Sequence, residues 1–570
     1  MARLTRHYAH WPAGVPHTLD APPCNLFSFL DASAALFPDK TAIDYYGAHM
    51  SYRVLLEAVL TLAGYMQQRL SVRRGERVLL LMQNCPHFAI AYYAALRCGA
   101  VVVPANPMST AAEVAYYAAD SGARVAVATQ DMLPSIAPLL DSGALAGCVV
   151  GACSEFAGRP DDVPFMTIPA FVREPREGST LSGEHDFAGA LAAGIAPTPL
   201  VGGCDDLAVI GYTSGTTGEP KGAMLSHSAF SYVVSQRVLW FADDPARSDL
   251  ITLPVNHVAG MCALNQALAQ GRTMVMLARW DAAAVPRLIE RHRIGCWAAV
   301  TPMLVELLAR PELAQHDLSS LRRLYGGATA MPETVARKIE QRLGVPYIEC
   351  YGMTETCGST HMNPPQAPRL QCAGIPQINV DARVIDADSG IELGPNQPGE
   401  LVMHSPTQFD GYWNRPEATA AAFIEIEGQR FVRSGDVGHY DEDGYFYVTD
   451  RIKRMINASG LKVWPAEIES RLHGHAAVQE ACVIAAHDAH RGETVKALVV
   501  LRESARGTLT PEALIEWARG CMAAYKVPRQ IEFVDSLPRS PAGKLLWRIV
   551  QDQQNQRDRS MDAAASASRS

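Results

Sequence analysis

The feature that most constrains the fold is an alternation of two kinds of segment, which continues to about residue 450. Short apolar runs rich in β-branched residues are each followed by a stretch whose apolar residues recur at helical spacing. Parallel strands need such a crossover, usually a helix, whereas antiparallel strands do not. The alternation therefore predicts an α/β fold in which helices cover parallel sheets.

The clearest part of this pattern lies between residues 77 and 129. "RVLLLMQN" at 77–84 is typical of a buried strand, and "HFAIAYYAALRCG" predicts a helix that ends at Gly99. "AVVVPANP" is the next strand, and "AAEVAYYAADSGA" and "RVAVAT" repeat the helix and strand. Residues 151–203 lack clear periodicity, and this predicts an irregular segment before the strand-like run "LAVIGY".

The sequence changes character after residue 450. A basic, turn-forming and then helical stretch is followed by strand-like and helix-like segments, which predict a small separate α+β domain. The last residues, "SMDAAASASRS", have low complexity and predict a disordered tail.

Composition narrows the class of protein. The 570 residues are 48% hydrophobic and 19% charged, as in globular proteins, and the net charge of -9 argues against nucleic-acid binding. There is no signal-peptide pattern and no run of 18 or more apolar residues. The 13 cysteines are scattered singly, which favours reduced thiols and a cytoplasmic protein.

A glycine-rich stretch, "TSGTTGEPKG" at 213–222, follows the strand-like run "LAVIGY" and precedes a helical pattern. Its glycines let a ligand approach the backbone, successive N–H groups can form an anion-binding concavity, and hydroxyls and Lys221 add donors. These properties predict a polyphosphate site. A Walker A loop is excluded because Glu219 and Pro220 follow Gly218, and the Gly-x-Gly-x-x-Gly pattern of a Rossmann fold is absent.

The stretch resembles the phosphate-binding signature of the acyl-adenylate-forming (AMP-binding) superfamily. Further signatures of that superfamily occur in order: "YGGATAMP" at 325–332, "YGMTE" at 351–355, "SGDVGHYDEDGYFYVTDRIKRMI" at 434–456, "SGLKVWPAEIE" at 459–469 and "PRSPAGK" at 538–544. The residues of these motifs are most similar to those of medium- and long-chain fatty acyl-CoA synthetases.

The resemblance implies a domain organisation. We expect a large N-terminal domain of helix-covered parallel sheets with a small β-barrel-like subdomain, followed by a small mobile α+β domain. The expected divisions are an N-terminal extension at 1–24, the large AMP-binding domain at 25–450, a hinge at 451–453, the small domain at 454–551 and the tail at 552–570.

The resemblance also implies a two-step ligase reaction. A carboxylate attacks the α-phosphate of ATP and releases pyrophosphate, and coenzyme A then attacks the acyl-adenylate and releases AMP. Lys544 is implied to neutralise the carboxylate and the α-phosphate, Thr354 to hydrogen-bond the α-phosphate, and Glu355 to bind Mg²⁺. The alternative for Lys544 is an ordinary surface lysine. The alternative for Thr354 and Glu355 is a helix N-cap followed by an acidic residue in the first helical turn.

ATP, Mg²⁺ and coenzyme A are thus the expected cofactors and co-substrates. Asp436 is implied to bind the ribose hydroxyls, Arg451 the ribose or a phosphate, Lys453 to act as the hinge, and Gly460 to let pantetheine pass. Asp436 could instead be a turn residue, and Lys453 one charge in a basic run. The other implied nucleotide-binding residues are Thr213, Ser214, Gly215, Thr216, Thr217, Gly218, Lys221, Gly327, Ala328, Glu349, Cys350 and Tyr351.

The motif "LPVNHVAGM" at 253–261 resembles the border of the acyl pocket, with His257 at its mouth, although a histidine satisfied at a helix start is the alternative. The implied pocket residues are His257, Val258, Gly260, Gly326, Gly352 and Gly358. The segments around them are small or apolar and offer no obvious Lys or Arg for a second carboxylate. We therefore expect an apolar monocarboxylic acid, most of all a medium- or long-chain fatty acid, with aryl acids as an alternative.

Two other functions stay open at this point. A fatty acyl-AMP ligase would load a carrier protein instead of coenzyme A, and a non-catalytic homologue would sense ATP or acyl-CoA. The expected partners are otherwise small molecules, together with a homodimer, peripheral contact with a membrane, and a lysine acetyltransferase and deacetylase acting on Lys544.

Overall fold

The computed structural model describes residues 5–20, 24–178, 181–213, 220–241, 248–458, 461–488, 492–539 and 545–567. Internal contacts divide the chain into two compact units. The first unit comprises Met1–Arg383, Val402–Arg433 and Asp441–Phe446. The second comprises Val384–Leu401, Ser434–Tyr440 and Tyr447–Ser570.

The α-helices are spread over both units. They are α1 Phe27–Leu36, α2 Tyr52–Arg69, α3 Pro86–Arg97, α4 Ala111–Ser121, α5 Leu133–Asp141, α6 Ala170–Arg173, α7 Phe187–Ala192, α8 His227–Phe241, α9 Val258–Ala269, α10 Val285–His292, α11 Thr301–Leu308, α12 Glu333–Leu343, α13 Pro416–Ala421, α14 Pro465–His473, α15 Pro511–Arg519 and α16 Trp547–Ala567. Short 3₁₀ turns lie at Arg6–His10, Gln130–Met132, Cys153–Glu155, Pro160–Asp162, Pro311–Gln315, Thr354–Thr356, Ile452–Arg454 and Glu503–Ala505.

The strands are β1 Thr41–Tyr45, β2 Ala48–Ser51, β3 Arg77–Leu81, β4 Val101–Ala105, β5 Val125–Thr129, β6 Gly147–Gly151, β7 Glu184–Asp186, β8 Leu207–Thr213, β9 Lys221–Ser226, β10 Ser248–Ile251, β11 Thr273–Met276, β12 Ile294–Ala298, β13 Arg323–Gly326, β14 Tyr347–Met353, β15 Gly358–Met362, β16 Ile375–Pro376, β17 Asp381–Ile385, β18 Gly399–His404, β19 Gly411–Tyr412, β20 Phe423–Ile426, β21 Gln429–Tyr440, β22 Phe446–Arg451, β23 Ile456–Ala458, β24 Leu461–Val463, β25 Val478–Asp488, β26 Gly492–Leu501 and β27 Gln530–Phe533. The division between the units runs through β17, β18, β21 and β22.

The first unit contains two large sheets with parallel centres. One has the order β16-β15-β14-β13-β12-β10-β11-β1-β2, and the other has the order β19-β9-β8-β4-β3-β5-β6-β7. Pairing is parallel from β14 through to β1 and from β8 through to β7. It is antiparallel for β2 with β1, for β16, β15 and β14, and for β19, β9 and β8. The predicted α/β fold with helix-covered parallel sheets is confirmed.

Local sequence explains where the first helices begin and end. α3 starts with Pro86 at its first position, and Gly99, with φ of 70°, follows its end. α4 begins with a capping box between Thr110 and Glu113 and ends at Gly122 in the left-handed conformation. These turn and cap residues fix the strand–helix alternation that the sequence predicts.

The segment that carries the glycine-rich stretch differs from the predicted order. A helix was expected directly after the stretch, but β9 comes first and pairs antiparallel with β8, with Thr213 opposite Lys221. α8 begins only at His227. The stretch therefore connects two strands of a hairpin and does not lead into a helix N-terminus.

The second unit has its own sheet and core. The sheet has the order β24-β23-β26-β25, with β27 parallel to β26. α14 and α15 contribute Ile468, Leu472 and Leu514 to the apolar cluster that also contains Val483 and Val499. This mixture of strands and helices agrees with the predicted small α+β domain.

The segment Trp547–Ala567 near the C-terminus is helical in the structure. α16 continues to Ala567, across residues for which the composition had predicted a disordered tail. Alanine is frequent here and has the highest helix propensity, while the first turns of α16 are anchored by buried Val550 and Gln554. Within the described part of the chain, no helix combines the length and apolar character needed to cross a membrane.

Candidate active site

The β8–β9 hairpin brings the two ends of the glycine-rich stretch together. Thr213 and Lys221 are register partners, and Thr213 Oγ1 donates a hydrogen bond to the Lys221 carbonyl over 3.4 Å. The predicted residues Ser214, Gly215, Thr216, Thr217 and Gly218 lie outside the described residues. The hairpin therefore fixes where the stretch starts and ends.

A tyrosine links this hairpin to the "YGMTE" motif. Lys221 Nζ lies 5.3 Å from the centre of the Tyr412 ring, and the Tyr412 hydroxyl donates to Glu355 Oε1 over 2.6 Å. Burial raises the pKa of Tyr412, so the hydroxyl keeps its proton and remains a donor. Tyr412 lies on β19 next to β9, and no motif in the sequence had indicated it.

The turn Thr354–Thr356 is held in place by hydrogen bonds to two backbone carbonyls. Phe409 N donates to the Glu355 carbonyl over 2.8 Å, and Thr356 Oγ1 donates to the Gly358 carbonyl over 2.8 Å. Gly211 on β8 leaves room for Thr354, since a Cβ on Gly211 would lie 3.2 Å from Thr354 Cγ2. Thr354 and Glu355 are thus placed beside the β8–β9 hairpin.

Glu355 can hold a hard cation. Its side chain is a buried carboxylate, and Tyr412 bonds to one of its oxygens. Among the described residues, no group of three or more His, Cys, Asp or Glu is arranged to hold a metal. A single carboxylate suits Mg²⁺, which keeps most of its ligands as water and phosphate oxygens.

Several predicted glycines are required by close backbone packing. A Cβ on Gly326 would lie 2.0 Å from the Ala299 carbonyl oxygen, and a Cβ on Gly352 would lie 1.8 Å from that of Gly358. The same holds for Gly260, whose Cβ would lie 2.1 Å from the Pro254 carbonyl oxygen. These contacts account for the glycines whether or not they also line a pocket.

The adenine-side candidates follow β13 and lie on β14. Gly327 passes close to Cys350, since a Cβ would lie 2.2 Å from the Cys350 carbonyl oxygen, and Ala328 has a left-handed φ of 72°. Tyr351 lies next along β14.

Glu349, the remaining candidate of this group, is bound by the protein itself. Its two carboxylate oxygens accept hydrogen bonds from Met331 N and Gln371 N, over 3.0 and 2.8 Å. Burial raises the pKa of Glu349 to about 7. The Glu349 side chain therefore holds the segment after β13 in place through these hydrogen bonds.

His257 caps α9. Its Nδ1 accepts a hydrogen bond from Ala259 N over 3.2 Å, which leaves the proton of a neutral ring on Nε2. The ring is exposed, whereas Val258 is buried. This is the geometry of the alternative considered from the sequence, a histidine satisfied at a helix start.

The second unit contains the ribose-side candidates. Arg451 Nε lies 2.7 Å from Asp436 Oδ1, and Asp436 is buried. Asp450, which precedes Arg451, accepts hydrogen bonds from Arg451 N and Ala466 N. Lys453 lies in the turn Ile452–Arg454, and Gly460 and Lys544 lie outside the described residues.

A buried arginine lies beside one of the predicted pocket glycines. The segments predicted to line the pocket contain no Lys or Arg, but Arg237 of α8 is buried, and its Nη2 lies 3.4 Å from the position of a Cβ on Gly358. Its signal in the sequence is a single charge within the otherwise uncharged stretch 229–241, on a helix that no motif covers.

The fold and these motifs define a class of acid-activating enzymes, and comparison with known proteins agrees. Residues 30–413 match the family model described as AMP-binding enzyme, and residues 467–544 match that described as AMP-binding enzyme C-terminal domain. The chain belongs to the AMP-binding enzyme family, as its motifs predict, and the predicted class of acid–thiol ligases is confirmed.

The chain is similar to ligases with different acids. It is 32% identical over 555 residues to the long-chain-fatty-acid–CoA ligase of Bacillus subtilis (strain 168), covering 96% of this chain and 98% of the relative. It is 34% identical over 520 residues to the feruloyl-CoA synthase of Amycolatopsis sp, covering 90% and 96%. The crystal structure of ATP-bound MatB from Rhodopseudomonas palustris superposes with a TM-score of 0.81 at 27% identity, covering 93% and 98%.

Proposed function

We propose that this protein is an ATP-dependent acid–CoA ligase that forms an acyl-adenylate and then an acyl-CoA. The observation that carries the proposal is the contact of Lys221, Tyr412 and Glu355, which joins the ends of the phosphate-binding stretch to the "YGMTE" turn. A cation, a proton donor and a carboxylate together suit the binding of a metal-bound polyphosphate.

The residues have separate tasks in this scheme. Lys221 and the hydroxyls of the glycine-rich stretch bind the phosphates, and Thr354 donates to the α-phosphate. Glu355 would hold Mg²⁺, which when bound neutralises phosphate charge. Lys544 neutralises the reacting carboxylate and α-phosphate, so that the approach of the two anions costs less.

The remaining roles concern the nucleoside, the acid and coenzyme A. Asp436 and Arg451 bind the ribose, with Gly327, Ala328 and Tyr351 on the adenine side. His257 lies at the mouth of the acyl pocket. Lys453 is the hinge for alternation between the two half-reactions, and Gly460 lets the pantetheine arm pass.

The acid that we propose has an apolar body. Similarity to both fatty-acid and feruloyl ligases supports this coarse class, and a medium- or long-chain fatty acyl body stands ahead of an aryl one. A cytoplasmic location, a homodimer and peripheral membrane contact rest on the sequence alone. Reversible acetylation of Lys544, which would remove its charge, is testable by mass spectrometry of the native protein.

The test is AMP release from ATP with Mg²⁺, with and without coenzyme A, over a panel of fatty acids, benzoate and cinnamates. We expect release that requires both an acid and coenzyme A. Pyrophosphate release with an acid that coenzyme A does not accelerate would favour the carrier-loading enzyme instead. Nucleotide binding without any turnover across the panel would favour a sensor and contradict the proposal.

A further inference from the structure

Arg237 is a buried cation in an apolar part of the first unit. It lies in the second half of α8, and 3% of its surface is exposed. Its guanidinium lies 5.9 Å from the centre of the Tyr325 ring, and its Nη2 donates to Ser359 Oγ over 3.3 Å. Tyr325 and Ser359 are themselves buried.

The charge of Arg237 is not balanced by an acidic side chain in the described part of the chain. A guanidinium has five N–H donors, and here the bond to Ser359 is its one hydrogen bond, while Nε–H is buried without an acceptor. Arg272 of the same unit provides a comparison, since it is equally buried but forms an ion pair with Asp249 over 2.9 Å. A buried cation without a counter-ion is costly, so Arg237 is a site for an anion.

The surroundings of Arg237 are the proposed acyl pocket. A Cβ on Gly358 would lie 3.4 Å from Arg237 Nη2 and 3.3 Å from Cys262 Sγ. Gly358 follows the turn that holds Thr354 and Glu355, and Cys262 lies on α9 downstream of His257. The distance from His257 to Cys262 along α9 is about 7 Å, from the helical rise per residue. The guanidinium therefore lies deeper than the mouth of the pocket, within reach of the far end of a bound acid.

We propose that Arg237 recognises a second carboxylate, so that the preferred substrates are dicarboxylic acids with an apolar body. One carboxylate reacts with ATP, and the other pairs with the guanidinium and supplies its missing counter-ion. A bidentate arginine–carboxylate pair fits the free Nε–H and the Nη groups. This inference rests on the proposed ligase function and names the substrate class of the same site.

The competing account is that the protein supplies its own anion. Cys262 Sγ lies next to Gly358 and donates a hydrogen bond to the Cys357 carbonyl over 3.3 Å. A side-chain hydrogen bond from the Cys357 thiol, together with the nearby charge of Arg237, lowers the pKa of Cys262. A Cys262 thiolate could thus pair with Arg237 and leave no place for a substrate carboxylate. The variant Cys262→Ala separates the two accounts.

The experiment compares acids of equal length that differ only at the far end. Coenzyme A-dependent AMP release is measured with succinate, adipate, suberate and sebacate, and with butyrate, hexanoate, octanoate and decanoate. We expect kcat/KM for the best dicarboxylate to exceed that of its monocarboxylate by at least about tenfold, the effect of one lost ion pair in a buried site. Calorimetry of the same pairs on the wild-type protein gives binding independently of turnover.

Variants assign the preference to Arg237. Arg237→Leu should reverse it, so that the monocarboxylate of the same length becomes the better substrate, and Arg237→Lys should keep part of it. Arg337→Leu, which removes an exposed arginine of α12, is the control and should leave the ratio unchanged. Cys262→Ala should leave the dicarboxylate preference in place. Thermal unfolding of each variant shows whether it is folded.

The outcomes are distinct. A wild-type preference for monocarboxylates, in both turnover and calorimetry, would overturn the inference, as would an acid preference that Arg237→Leu leaves unchanged. A dicarboxylate preference that is absent from the wild type and appears only in Cys262→Ala would support the thiolate account and overturn the inference. Absence of turnover with any acid would count against the proposed function. In that case, calorimetric binding of the dicarboxylate to the wild type but not to Arg237→Leu would still support the anion site.

Discussion

At the scale of single residues, Glu355 has a buried carboxylate with a defined hydrogen-bond donor. Its position depends on Tyr412, which donates to one of its oxygens, and on Phe409, whose N–H bonds to its carbonyl. The sequence identified Glu355 through its motif but gave no sign of Tyr412, since the two residues lie 57 positions apart.

Removing the Glu355 charge should impair adenylation more than removing its hydrogen bond. We expect Glu355→Gln to lower pyrophosphate release strongly. We expect Tyr412→Phe to lower it by about 10- to 100-fold and to raise the Mg²⁺ concentration required, as for side chains that orient a metal ligand. The measurement is pyrophosphate release during a Mg²⁺ titration. Tyr65→Phe, which removes a hydroxyl bonded to His185, is the control. An unchanged Mg²⁺ dependence in both variants would count against the metal role.

Lys544 should matter for one half-reaction only. We expect Lys544→Ala to abolish adenylate formation but largely to spare thioester formation from presynthesised acyl-AMP, because its charge is needed when two anions approach. Each half-reaction is measured separately, and Lys338→Ala on α12 serves as a control for loss of an exposed lysine. Survival of both half-reactions would show that the assignment of Lys544 is wrong.

His361 should make the fold sensitive to acid. Its ring is fully buried on β15, its Nε2 has no partner among the described residues, and burial lowers its pKa from 6.5 to about 3. The unfolded chain therefore binds a proton that the folded chain does not, so stability falls as pH drops below 6.5 toward 3. The slope from this group is at most about 1.4 kcal/mol per pH unit.

The variant His361→Gln should remove this part of the pH dependence. Urea unfolding of wild type and variant at several pH values measures it, and the two midpoints should converge as the pH falls, because only the wild type loses stability through this group. His17→Gln, at an exposed position, should keep the wild-type slope. Parallel pH profiles for wild type and His361→Gln would contradict the expectation.

At the scale of elements, the hairpin of β14 and β15 carries the motif residues. The two strands pair antiparallel, and Gly352 approaches Gly358 so closely that a Cβ would lie 1.8 Å from its carbonyl oxygen. The turn Thr354–Thr356 closes this hairpin, so its geometry depends on the absence of a side chain at residue 352.

Gly352→Ala should therefore distort the hairpin and the turn together. We expect the free energy of unfolding to fall by about 1–3 kcal/mol, the usual cost of forcing a group into a packed site, with a marked loss of adenylation. Thermal unfolding and pyrophosphate release measure the two effects. Gly178→Ala, where a Cβ would meet nothing within 4 Å, should change neither. A stable variant with full activity would contradict this reading of Gly352.

Elements were predictable where their signals are local. β3, α3, β4, α4 and β5 follow from apolar spacing and from the prolines, caps and glycines that end them. β9 was not predicted, because "KGAML" has no distinct strand pattern and owes its conformation to pairing with β8 and β19. The β-barrel-like subdomain stays a prediction.

At the scale of the whole molecule, the proposed site residues are divided between the two units. Lys221, Thr354 and Glu355 belong to the first unit, and Asp436, Arg451 and Lys453 belong to the second. A reaction with two different half-reactions can use a change of backbone conformation at the proposed hinge, Lys453, which lies within the second unit.

Lys453→Pro should affect the two half-reactions unequally. Proline fixes φ, so a hinge at this residue would lose one of its two conformations, and we expect one half-reaction to fall at least about tenfold further than the other. Pyrophosphate release and thioester formation from acyl-AMP are measured side by side. Lys453→Ala removes the side chain but keeps backbone freedom, and it should show a smaller difference. Equal losses in both half-reactions would argue against a hinge.

The sequence by itself determined the fold class, the family and the residue types at the motifs. These depend on local information, because hydrophobic periodicity, turn residues and short motifs act within a few positions. Only the tertiary structure decided which side chains meet across the chain. Tyr412 reaches Glu355, and Arg237 lies buried beside Ser359, 122 positions away. Such contacts depend on how sheets and helices pack, and that packing leaves Arg237 buried with no acidic partner in the described part of the chain.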